Sequence, residues 1–148
     1  AERCGAGVHA LALLLCIGVT GTLVWCVLAL PEPAPTLAPQ VVQNLAATGL
    51  LDRAEVVASD ATDHLTRQVG RSGVPYDLVL LDPPYLTDDD AWTALLEQLA
   101  AVAPAAVVVV ESDREVVAPQ GWHALREKRY GGTLVSVLRT PSLPSETS

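Results

Sequence analysis

The sequence predicts an α/β fold: a mostly parallel sheet covered by helices, with an antiparallel hairpin at one edge. Three observations carry this. Short apolar runs at 54–58, 77–81 and 105–110 alternate with helix-patterned segments, the order of a parallel sheet covered on both faces. Residues 122–129 and 133–138 alternate in polarity around Gly131-Gly132, as the arms of a hairpin do. The apolar runs also end abruptly in acids, Asp60, Asp82 and Glu111, where open sheets of this kind take their ligands.

Length and charge narrow the function. The chain has 148 residues, half of them hydrophobic, enough for one domain with a buried core. A net charge of −8 excludes a general nucleic-acid clamp, which needs clustered Lys and Arg. Any nucleic-acid target must therefore meet a small basic surface or one supplied elsewhere. Cys4, Cys16 and Cys26 are widely spaced, with no histidine at metal-ligand distance. They read as reduced thiols rather than a disulfide framework or a metal site. The chain has no methionine, even at position 1, which points to a fragment.

The first third allows two readings. Residues 8–30 form an apolar run broken only by His9, Gly and Thr, long enough for a transmembrane helix. Alternatively, Gly5-Ala6-Gly7 is a tight loop opening a helix over 8–17, Gly18 and Gly21 end that helix, and 22–28 is a buried strand with Glu32 just beyond it. A helix over 36–48 then stops at Gly49. This loop, helix, strand, acid, helix order is that of a nucleotide-binding half-sheet. Pro39 inside the last helix and the prolines at 31–35 count against it.

Beyond residue 54 the pattern is clearer. A strand over 54–58 is followed by Asp60, a helix over 61–69 with Leu65 and Val69 on one face, and a loop over 70–75. A strand over 77–81 leads to Asp82. Asp88-Asp89-Asp90 supplies an N-cap and dipole-favoured acids for a helix over 91–102, with Trp92, Leu95, Leu96 and Leu99 at helical spacing. Pro104 ends it, and a strand over 105–110 runs to Glu111, which reads equally as an ordinary loop acid. His64 falls on the polar side of its helix, facing solvent. His9 and His123 lack partners for a triad or a metal. Arg126, Lys128 and Arg129 form a basic cluster that reads first as a solvated strand face. Trp25, Trp92 and Trp122 read as core or rim.

The most specific motif is Asp82-Pro83-Pro84-Tyr85 after the run at 77–81. A Pro-Pro turn is common loop punctuation. Here the two prolines stiffen a ledge on which the Asp82 carboxylate and the Pro83 carbonyl can accept hydrogen bonds, while the Tyr85 ring can lie on a base. Those are the parts needed to hold the exocyclic amino group of a nucleobase during alkylation.

The pattern resembles class I S-adenosylmethionine-dependent methyltransferases that act on exocyclic amino groups. It is most similar to the bacterial small-subunit ribosomal RNA guanine-N2 methyltransferase family. The resembling segments are 43–50 (Gln-Asn-Leu-Ala-Ala-Thr-Gly-Leu), 57–61 with Asp60-Ala61, 76–85 with the Asp-Pro-Pro-Tyr motif, Glu111, and the turn 128–133 (Lys-Arg-Tyr-Gly-Gly-Thr). Together they cover about residues 41–139. The resemblance implies a Rossmann-like methyltransferase sheet and S-adenosyl-L-methionine as cofactor. It implies that Asp60 and the Ala61 backbone contact the cofactor adenine, that Asp82 and Pro83 bind the guanine amino group, and that Tyr85 stacks on a base extruded from its helix or loop. It further implies ribosomal RNA or the small ribosomal subunit as partner, a monomer, a cytoplasmic location and no metal. A DNA adenine or cytosine amino-methyltransferase is the alternative enzyme, and a non-catalytic remnant the alternative to catalysis.

The departures fall at the start. The family's first strand and glycine-rich loop are apparently missing, with Gly5 and Gly7 a remnant of the loop and Glu32 a candidate for the ribose acid. The basic N-terminal arm is absent. The expected organisation is therefore a hydrophobic segment over 1–35 (a degenerate first half of the cofactor domain, or an anchor through residues 8–30), a methyltransferase domain over 36–140 and a disordered tail over 141–148.

Overall fold

The computed structural model describes residues 12–17, 25–30, 34–59, 61–70, 76–82 and 88–142. In chain order its elements are β1 (Ala12–Ile17), β2 (Trp25–Leu30), α1 (Ala34–Ala47), β3 (Ala54–Ala58), α2 (Ala61–Gln68), β4 (Leu78–Asp82), α3 (Asp89–Val102), β5 (Val107–Ser112), β6 (His123–Tyr130) and β7 (Thr133–Arg139). The seven strands form one sheet in the order β3-β2-β1-β4-β5-β7-β6.

Five of these strands run one way. β2 and β3 pair in parallel, as do β4 and β5. β7 is antiparallel to both β5 and β6, which returns β6 to the common direction. β1 is the other reversed strand, antiparallel to β2 on one side and β4 on the other. The mostly parallel sheet with a terminal hairpin is thus as the sequence predicts.

The N-terminal expectations need correction. The predicted helix over 8–17 is a strand where it is described, and the central slot expected to lack its first strand holds β1, reversed. Ala12–Ile17 is continuously apolar, and such a run suits a buried strand as well as a buried helix. The slot decides between them: without β1, the inner edges of β2 and β4 would present unpaired N–H and C=O groups. For the same reason 8–30 is not one spanning helix. Its described parts are two paired strands, and among the described residues no helix is long and apolar enough to cross a membrane.

Local chemistry explains the remaining elements. α1 ends at Gly49, whose φ of +70° is a backbone position that favours glycine. There Leu50 N–H donates to Leu45 O at 2.8 Å and Gly49 N–H to Ala46 O at 3.1 Å, closing the helix with two otherwise orphaned carbonyls bonded. Pro39 lies inside α1 and costs it one backbone donor. Asp88 caps α3 by accepting from Ala91 N–H at 2.8 Å, and Asp89 and Asp90 fill its first turn.

Strand alternation then sets the core. Val79, Leu81, Val108, Val110 and Leu138 point to one sheet face. They pack there with Leu65 of α2 and with Trp92, Leu95, Leu96 and Leu99 of α3. Leu78, Leu80, Val107, Val109, Glu111, Val135 and Val137 alternate with them on the opposite face and are half-buried. Thr140, fully buried beyond β7, donates to Ala103 O at 2.5 Å and accepts from Ala106 N–H at 2.8 Å. It pins the end of β7 to the turn that follows α3.

Candidate functional site

The shared direction of β3 and β4 brings their carboxyl ends to one edge of the sheet. At β4 that end is Asp82, the last strand residue, and it is exposed. At β3 the chain turns through Ser59 into α2, whose first residue, Ala61, is fully buried. Arg67 Nη2 reaches back from α2 and donates to Ser59 Oγ at 2.8 Å, bracing that turn. With β2 and β1 between them, the two stations stand about 14 Å apart, three strand spacings. At this edge β1 contributes its first residue, because Ala12 pairs with Asp82, whereas β2 contributes its last.

Asp60, Pro83, Pro84, Tyr85, Gly5, Gly7 and Glu32 all lie outside the described residues, as does His9. Of the acids and cofactor-contact residues expected at the strand ends, Asp82, Ala61 and Glu111 are described. Glu111 is not past the end of its strand. It lies within β5, half-buried, opposite Val135 of β7.

The loop after β5 closes one side of this edge. Arg114 Nη2 meets Asp89 Oδ1 at 3.0 Å, tying that loop to the first turn of α3, and Ser112 Oγ donates to Arg114 O. Arg129 Nη1 of β6 donates to Asp113 O at 3.4 Å. No local sequence pattern marks the Arg114–Asp89 and Arg129–Asp113 ties, whose partners are 25 and 16 residues apart. Among the described residues no group of His, Cys, Asp and Glu could hold a metal.

His64 corrects another expectation. It is 5 % exposed rather than facing solvent, and its Nε2 finds no hydrogen-bond partner. Burial holds its pKa below the ordinary value of 6.5, helped by the Arg67 guanidinium and opposed by Glu55. Burial likewise raises the Tyr76 phenol, with Glu55 adding to it. α2 packs against α3 and β2, and that packing buries His64 together with its neighbour Leu65. Trp92 is core and Trp122 packs against the core's rim, as expected.

Residues 28–139 match the model of a family described as conserved hypothetical protein 95. The chain belongs to this family. The match starts inside β2 and takes in every later element, while β1 lies before it. None of the curated proteins matches the chain. Among solved structures, the candidate methyltransferase yhhF of Escherichia coli superposes with a TM-score of 0.58 at 26 % identity, over 72 % of this chain and 58 % of that one. A candidate methylase of Haemophilus influenzae gives 0.59 at 26 % identity, over 72 % of this chain and 68 % of its own. A conserved hypothetical protein of Streptococcus pyogenes gives 0.60 at 27 % identity, over 77 % and 70 %. The chain thus spans a little over half the length of the Escherichia coli protein. The likeness to S-adenosylmethionine-dependent methyltransferases read from the Asp-Pro-Pro-Tyr motif is borne out by the family and by these neighbours, as is the Rossmann-like fold.

Proposed function

We propose that this chain carries the catalytic edge of an S-adenosylmethionine-dependent methyltransferase whose target is the exocyclic amino group of a guanine in small-subunit ribosomal RNA. One observation carries the reading: Asp82 is exposed at the carboxyl end of β4 and runs directly into Pro83-Pro84-Tyr85. A carboxylate there can accept from an amino group. Proline fixes its own φ, so two in succession would stiffen the chain beyond the carboxylate.

The residues present fit the cofactor at the other station. The turn at Ser59 is braced by Arg67, and the opening N–H groups of α2, beginning at Ala61, have no partner within the helix. Asp60 and the Ala61 N–H would hold the adenine as an acceptor and donor pair, with Glu32 toward the ribose and Gly5 and Gly7 at the methionine end. S-adenosylmethionine, when bound, supplies a methyl group whose bonding electron pair stays with sulfur as the new N–C bond forms. Asp82 and the Pro83 carbonyl orient the amino group so that its lone pair faces that methyl, and much of the rate comes from this positioning. Positive charge grows on nitrogen during transfer, and the Asp82 carboxylate stabilises it. The surplus amino proton leaves afterwards, so no strong base is needed before attack. Tyr85 covers the face of the extruded base.

The test pairs calorimetry with S-adenosylmethionine and transfer of labelled methyl to small-subunit ribosomal RNA. Heat of binding with label in guanine supports the reading. Label in DNA adenine or cytosine instead moves the chain to DNA amino-methylation, and absent heat at millimolar cofactor makes it a non-catalytic relative.

A further inference from the structure

We propose that the face of β6 built by Arg126, Lys128 and Tyr130 is the track along which single-stranded RNA reaches Asp82. This rests on the methyltransferase reading above and assigns it a substrate surface.

Register puts the track beside the site. Lys128 pairs with Val135, and Val135 with Glu111. Extending the Leu81–Val110 pair by one residue sets Glu111 beside Asp82. Asp82, Glu111, Val135 and Lys128 therefore form one cross-strand row, all on the sheet face opposite α3. Three strand spacings put Lys128 about 14 Å from Asp82. Arg126 and Tyr130 flank Lys128 at two-residue steps, on the same face of β6.

The chemistry suits a single strand of nucleic acid. Every residue of β6 is exposed, so among the described residues no other element covers this face. The hairpin residues 123–139 hold four of the nine basic side chains, Arg126, Lys128, Arg129 and Arg139, against one acid, Glu127, on a chain of net charge −8. Glu127 lies on the other face, where Ser136 Oγ donates to it at 3.3 Å. Arg126 and Lys128 make no ion pair among the described residues. The Lys128 ammonium instead stands 4.7 Å from the centroid of the Tyr130 ring, which is still 56 % exposed. Cations with an exposed ring are the parts that bind phosphate and stack a base without reading sequence. Glu111, half-buried between track and site, repels phosphate and accepts from base amino groups, which keeps the backbone out over β6 and turns a base inward.

The experiment measures binding of the full chain to a labelled single-stranded RNA of about twelve nucleotides across a salt series. The double variant Arg126→Ser with Lys128→Ser is expected to flatten the slope of log affinity against log salt by about 1.4, two phosphate contacts at about 0.7 each. Tyr130→Ala should weaken binding with the slope retained. Arg139→Ser, which removes one positive charge at the far end of β7, should leave the slope nearly as it was. No RNA binding by the unsubstituted chain, or an unchanged slope in the double variant, overturns the proposal. So does displacement of the RNA by polyglutamate at equal charge, since the patch then answers to charge alone. An unchanged slope with new self-association shows that these cations guard a bare sheet edge instead. Calorimetry with S-adenosylmethionine on the same variants separates the two claims: cofactor heat with an unchanged slope refutes the track alone, and RNA binding without cofactor heat refutes the methyltransferase.

Discussion

Cys16 of β1 and Cys26 of β2 stand directly opposite each other in the antiparallel register of those strands. A parallel β1 paired along the full length of β2, Ala12 with Trp25, would instead set Cys16 against Ala29. Opposed residues of an antiparallel pair have Cα atoms about 4.5–5.5 Å apart, within the range a disulfide spans. Mild oxidation should therefore join Cys16 to Cys26, read as one cross-linked peptide by mass spectrometry. Joining of Cys4 to either residue, with no Cys16–Cys26 product, would refute the reversed central strand.

Asp82→Ala is expected to abolish methyl transfer while leaving the heat of S-adenosylmethionine binding largely intact, because the proposed base station at Asp82 stands about three strand spacings from the proposed cofactor station after β3. Asp60→Ala should do the converse and weaken cofactor binding by about 1–3 kcal/mol, the scale of an unpaired hydrogen-bonding group. Equal loss of both activities in the Asp82 variant contradicts the division of the edge into two stations.

Thr140→Val keeps the shape of a fully buried side chain but removes the acceptor of Ala106 N–H and the donor to Ala103 O. Ala106 N–H is left with a long 3.4 Å bond to Ala103 O. The loss should be about 1–3 kcal/mol in urea unfolding, with Thr140→Ser losing much less. A neutral Thr140→Val would show that this pin contributes nothing.

Asp88→Ala removes the side-chain cap of α3 and should cost about 1 kcal/mol, with Asp88→Ser nearly neutral. Breaking the exposed Arg114–Asp89 pair (41 % and 90 % side-chain exposure) should cost less than losing the cap, because solvent and salt screen an exposed pair. Thermal melts of the three variants rank them.

His64 gives a pH dependence whose sign follows from its lowered pKa. Because the folded protein takes the proton less readily than the unfolded chain, the neutral imidazole's contribution is present above the unfolded value of about 6.5. It is lost as pH falls below that value toward the folded one. Unfolding free energy should drop between about pH 7.5 and 5.5, and His64→Leu should flatten that slope. An equally steep profile in the variant would assign the dependence to other groups.

Most of the later half was legible in the chain itself. Local rules sufficed wherever a signal and its consequence lie within a few residues. The Asp88 cap, the leucine stripe of α3, the Gly49 stop, the Gly131-Gly132 turn and the acid closing β4 are all of that kind. His64 was misread because a helical wheel reports polarity, whereas α3 and the sheet decide which side of α2 is covered.

The order of strands and helices from β3 onward, and the chemistry of Asp82 and its prolines, were set by sequence alone, since periodicity and side-chain type are local properties. Two things were decided only in three dimensions. One is the direction of β1, an apolar hexapeptide that carries no preference of its own and took its place from the hydrogen-bonding edges on either side. The other is the row from Asp82 to Lys128, which exists because cross-strand pairing brings together residues 46 positions apart, a distance over which sequence pattern carries no information.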